Sequence, residues 1–192
     1  MDCKIINFSP GDRILRPDEI SDAIFLVLKG QVRLLATDPF GDGQFTLGLR
    51  GPGQLLGWIN LLRGHPTEFV QASTDVVVLV LSATQYLKLY KTNKDFADFF
   101  DTQFNFNEAY HVYSSYLESL PKKHSSWQES IVPQSKKCKV LTLHDSLKFL
   151  SGKDVSNKVL LLSTPKVSGV ESGQQVTIGS IDTLKRPNFT LP

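Results

Sequence analysis

Between residues 5 and 81 the apolar runs of this chain are short, about half a dozen residues at most, and turn signals cut off each one. Such a rhythm suits short strands in an all-β roll and leaves no room there for long amphipathic helices. Met1–Phe8 reads as a strand, Pro10-Gly11-Asp12 as a turn and Ile14–Arg16 as a short strand. Ile24–Leu28 and Gln31–Ala36 flank Lys29-Gly30 as in a hairpin. Asp38–Gly43 is a glycine/proline loop ahead of a strand over Gln44–Leu49. Val32 and Leu34 alternate with Gln31 and Arg33, the pattern of a half-buried strand, whereas Val76–Leu81 is apolar throughout and reads as a central one.

At Ser82 the period changes. Ser82-Ala83-Thr84-Gln85 is a capping box, with Leu81 and Tyr86 placed for a hydrophobic staple, so a helix starts there. It runs to about Lys91 and is interrupted at Thr92-Asn93. A second helix is expected over Phe96–Leu117, with Phe96, Phe99/Phe100, Phe104, Tyr110, Tyr113 and Leu117 at three-to-four spacing. This stripe outruns what a small barrel needs. Its expected cover is a second lobe, a twin helix in a homodimer or another domain, with Tyr113 and Leu117 buried outside the barrel. Residues 119–136, rich in Pro and Ser, read as a linker, and 137–192 as a small β-containing lobe or docking arm.

The chemistry is concentrated in Gly53–Ser73, G-Q-L-L-G-W-I-N-L-L-R-G-H-P-T-E-F-V-Q-A-S. A glycine turn at Gly57 opens a short apolar helical run, Ile59–Leu62. A corner at Gly64 and Pro66 then leads into a strand, Phe69–Ala72. Helix N-termini attract anions through unpartnered N–H groups and the helix dipole, so this outline suits a phosphate. Together with F-S-P-G-D-R-I-L (Phe8–Leu15), I-F-L-V-L-K-G-Q-V-R-L-L (Ile24–Leu35) and P-G-Q-L-L-G (Pro52–Gly57), the segment resembles the cyclic-nucleotide-binding domain family. That resemblance covers roughly residues 5–118. It implies a mainly β fold: a double-stranded β-helix (jelly-roll) barrel followed by C-terminal α-helices over 1–118, with a small β-containing segment beyond.

In that family a glutamate after the glycine at Gly57 binds the ribose, and an arginine near Thr67 holds the phosphate. Here those places carry Trp58 and Thr67/Glu68. The candidate ligand-binding residues are Gly57, Trp58, Ile59, Asn60, Leu61, Arg63, Thr67 and Glu68. Trp58 either fills the ribose space with its own ring or stacks on a different planar ligand. A carboxylate at Glu68 within ~5 Å of a phosphate opposes it by roughly 3 kcal/mol at an effective dielectric of ~20. Arg63 is the remaining anion partner. No cofactor is expected, and cyclic nucleotide is disfavoured.

No enzyme is read from the chain. His65, His111, His124 and His144 form no metal-ligand spacing, and no G-x-S-x-G is present. Cys3 and Cys138 lie far apart in unlike contexts and fit a reducing, cytoplasmic compartment. The net charge of +2 divides unevenly. Residues 1–120 hold ten Lys/Arg against fourteen Asp/Glu, and 121–192 hold eleven against five. The lysines of the second part are scattered, and Pro121, Pro133, Pro165 and Pro187 break any helix-turn-helix, so no specific nucleic-acid contact is expected. No run is long enough for direct membrane insertion.

Gly57–Pro66 followed by Glu68–Ser73 is also similar to modules fused ahead of bacterial type I secretion or bacteriocin-exporting ABC transporters, including cyanobacterial ones with a peptidase domain. The similarity implies a regulatory or docking module of a longer parent protein on the cytosolic face of a membrane transporter. The abrupt Pro187–Pro192 end and the lack of a helix before Phe8 agree with a fragment. Other readings stay open. One is a receptor for cyclic nucleotide or another small ligand. Another is a transcription regulator without a recognisable DNA-binding domain. A third is the regulatory part of an enzyme whose active site lies elsewhere in the parent.

Overall fold

The computed structural model describes residues 4–38, 43–64, 66–103, 105–118, 132–133 and 138. The chain divides into two units, Met1–Asp101 and Thr102–Pro192, each described by itself.

The first unit is built on two four-stranded antiparallel sheets. One has the order β1-β8-β3-β6, from Lys4–Phe8, Val76–Ser82, Ala23–Lys29 and Leu55–Leu56. The other has the order β2-β7-β4-β5, from Arg13–Leu15, Phe69–Ala72, Val32–Thr37 and Gln44–Arg50. The mainly β fold expected from the sequence is present. Val76–Ser82 is central, paired on one side with β1 (Ile6↔Val78) and on the other with β3 (Val27↔Val78). Alternation decides which side chains enter the core. Val32, Leu34 and Ala36 of β4 are buried while Arg33 and Leu35 between them are half-buried. Val27, Val32, Val70, Ala72 and Val78 are among the buried residues of the first core cluster. At Gly30 (φ 85°) the backbone passes so close to β8 that an added Cβ would lie 2.1 Å from the Asp75 carbonyl oxygen.

The helix α1 (Trp58–Arg63) follows β6 and α2 (Ala83–Thr92) follows β8. Ser82 caps α2, its Oγ accepting from the Gln85 N–H at 3.3 Å and donating to Gln85 Oε1 at 3.1 Å. Leu81 and Tyr86 meet in a second apolar cluster with Ile24, Trp58, Ile59, Leu62 and Phe100. That is the expected staple.

The single helix expected over Phe96–Leu117 is instead two: α3 (Lys94–Thr102) and α4 (Phe106–Glu118). Asn93 opens the segment and Asn105 divides it. Asn93 Oδ1 accepts from the Phe96 N–H at 3.0 Å and starts α3. Asn105 Oδ1 accepts from the N–H groups of Asn107 and Glu108 at 2.9 and 3.2 Å and starts α4. A side chain that satisfies orphan donors of a new first turn competes with continuation of the old helix. In α4, Tyr110 is buried and Tyr113 half-buried against Tyr116 (ring centroids 6.3 Å apart). The side chain of Leu117, His65, Cys3, most of the linker and nearly all of 137–192 lie outside the described residues.

Candidate functional site

Gly57 makes the entry turn of the cassette with φ 86°, and an added Cβ would stand 3.1 Å from the Ala23 carbonyl oxygen. Glycine alone combines that left-handed backbone with so close an approach. The turn leaves the Gly57 N–H pointing inward, where it donates to Glu68 Oε2 at 2.6 Å. Glu68 is 2% exposed. The helix α1 has no side-chain cap of its own and no acidic residue in its first turn, so the Glu68 side-chain oxygen supplies an acceptor at its start.

Asn60, fully buried in α1, ties the rest of the corner together. Its backbone carbonyl accepts from the Gly64 N–H at 3.0 Å. Its Oδ1 accepts from the Thr67 N–H and Thr67 Oγ1 at 2.9 Å each and from the Glu68 N–H at 3.2 Å. Three donors on one atom identify that atom as the oxygen. The other end of the carboxamide, Nδ2, is buried with no hydrogen-bond partner among the described residues.

The remaining candidates face the apolar side. Trp58 is 7% exposed and its ring lies 5.1 Å from that of Phe100 in α3, tilted by 56°. Ile59 is fully buried in the same cluster, with Leu61 packed against it. Arg63, half-buried in the last turn of α1, acts electrostatically on Tyr86. Burial pushes the Tyr86 phenol well above its ordinary range, Tyr90 and Asp101 push the same way, and Arg63 opposes them. Tyr90 Oη donates to Asp101 Oδ1, joining α2 to α3.

The structure therefore gathers Gly57, Asn60, Thr67 and Glu68 into one hydrogen-bonded cluster, and places Trp58 and Ile59, with Leu61 partly buried against them, in the apolar cluster that includes Phe100. Phe100 was legible only as one member of an aromatic stripe. Among the described residues no group of three or more His, Cys, Asp or Glu could hold a metal ion. No described helix is long and apolar enough to cross a membrane.

The paired antiparallel sheets, the glycine turn and the short helix ahead of β7 define a jelly-roll domain. The cyclic nucleotide-binding domain model matches residues 5–93. The cyclic AMP receptor protein of Thermus thermophilus is 34% identical over 85 residues, a match covering 44% of this chain and 39% of that protein. The chain thus spans well under half the length of this curated relative. Among solved structures, the regulatory subunit of a cAMP-independent protein kinase A from Trypanosoma brucei is 24% identical. That match covers 53% of this chain and 37% of that one, with a TM-score of 0.46. The N-terminal domain of a transcriptional regulator from Streptomyces coelicolor is 25% identical, with 50% and 67% covered and a TM-score of 0.42. Residues 5–93, just under half of the chain, are thus similar to the cyclic nucleotide-binding domain family.

Proposed function

We propose that residues 1–118 act as a non-catalytic regulatory or docking module that operates without holding cyclic AMP or cyclic GMP tightly. One observation carries this reading. The N–H groups of Gly57, Thr67 and Glu68 are all accepted by side chains of the cassette itself. A cyclic phosphodiester would have to displace buried Asn60 and bring a second negative charge beside Glu68, and position 67 offers it no guanidinium.

The contact between Trp58 and Phe100 links the cassette to α3, the route by which a change at the cassette reaches that helix. Partners of the module are other domains of a longer parent, or a second copy meeting it through Phe96–Leu117. A secretion ABC transporter, with the module on its cytosolic face, is the parent the sequence favours.

Thermal unfolding tests the reading. A ligand at about a hundred times its dissociation constant stabilises a protein by about 2.7 kcal/mol, several degrees in melting temperature. Millimolar cyclic AMP or cyclic GMP is expected to leave the melting temperature of the first unit unchanged. A rise of several degrees contradicts the proposal.

A further inference from the structure

We infer that the Asn60 carboxamide is a built-in substitute for an anion, a lock that holds the corner between α1 and β7 in one geometry with nothing bound. The inference deepens the reading of a module that works without cyclic nucleotide, and rests on it.

Asn60 Oδ1 is crowded with donors. Two consecutive backbone N–H groups, Thr67 and Glu68, and the Thr67 hydroxyl converge on a single oxygen. Consecutive N–H groups aimed at one point form the concave nest that suits an anion. An amide oxygen has two lone pairs, so three donors exceed what a neutral carboxamide satisfies well. The opposite end of the side chain is unsatisfied: Nδ2 is buried and has no partner among the described residues, which is unfavourable for any residue kept only to fill space. A leucine would fill the same volume in the run Trp58-Ile59-Asn60-Leu61-Leu62 and leave no orphan donor. What leucine cannot do is accept from Thr67 and Glu68. The main chain of Asn60 accepts the Gly64 N–H as the closing bond of α1, so the side-chain bonds tie Thr67 and Glu68 to the last turn of that helix. Asn60 thereby sets specificity by exclusion: an incoming anion finds its donors already taken.

Amide hydrogen exchange on the isotope-labelled 192-residue chain tests the lock. In the wild type the Thr67 and Glu68 amides are expected to be protected, with cross-peaks unmoved by millimolar sodium formate at constant ionic strength. Formate is chosen because it matches the carboxamide in size and supplies an anionic oxygen. In Asn60→Ala both amides should exchange about tenfold faster or more, the factor that loss of one net hydrogen bond gives. Formate should then shift both cross-peaks saturably and slow their exchange again. Unchanged exchange in Asn60→Ala overturns the inference, and so does faster exchange with no response to formate. If Asn60→Ala does not fold, the wild type decides: protected amides support the lock and unprotected ones overturn it. The reading beneath is judged separately. A wild type that takes up cyclic AMP while these two cross-peaks stay in place removes that reading and leaves the lock. Unprotected amides in a chain that ignores cyclic AMP do the reverse.

Discussion

Gly57 and Glu68, eleven residues apart, are joined by a 2.6 Å hydrogen bond from a backbone N–H to a buried carboxylate. Family resemblance places a carboxylate directly after this glycine, where the chain has Trp58. The structure returns a carboxylate to the same turn from the other side, at the head of β7, and spends its acceptor on the protein's own backbone. A charge-assisted bond of this kind is worth about 1.5–3 kcal/mol. Glu68→Ala should destabilise the first unit by about that amount, and Glu68→Gln, which keeps a neutral acceptor, by about 1 kcal/mol. Urea unfolding reads both. Two variants within about 0.5 kcal/mol of the wild type would mean that the bond contributes nothing.

Trp58 and Phe100 should behave as one packing unit. Truncating either to alanine removes a buried aromatic ring, at a cost of about 3–5 kcal/mol. The rings touch, so the double variant should cost less than the two singles together, by about 0.5–1.5 kcal/mol. Strict additivity in a double-mutant cycle would remove the link between the cassette and α3.

Tyr86 yields a pH prediction. Its phenol is buried and without a hydrogen-bond partner among the described residues, and burial holds it protonated in the fold well above its ordinary pKa. The unfolded chain loses that proton from about pH 10, while the folded chain keeps it. The raised pKa therefore contributes stability that is complete below about pH 10 and declines as pH rises beyond it. Tyr86→Phe should be neutral or stabilising by up to about 1 kcal/mol at neutral pH, because it removes an orphan hydroxyl. It should also flatten the alkaline loss. An equally steep fall above pH 10 in both proteins counts against this assignment.

Much of the fold was legible because its causes are local. Phe69–Ala72 and Val76–Ser82 announce themselves by apolar runs between turn residues, and Ser82 with Gln85 marks the start of α2. The two-residue strand Leu55–Leu56 is too short to leave a period, and only its pairing with Phe25 and Leu26 makes it a strand. The break between α3 and α4 was hidden because the aromatic spacing runs straight through it. Its signal was Asn105 with Glu108 three residues later, a cap that the stripe overrode. In the cassette, the missing arginine at Thr67 and the missing carboxylate at Trp58 were plain from residue types. The role of Asn60 was not, since it depends on Thr67 and Glu68 being brought back onto α1. The one clue was a lone polar residue in the apolar run around it.

The central claim is that this cassette is closed by its own side chains, and titration calorimetry of cyclic AMP into the 192-residue chain tests it most directly. Loss of the bidentate phosphate contact and the ribose acceptor should weaken binding by on the order of 10³-fold. The account predicts no saturable heat at micromolar nucleotide, for cyclic AMP and cyclic GMP alike. A low-micromolar dissociation constant for either would contradict it.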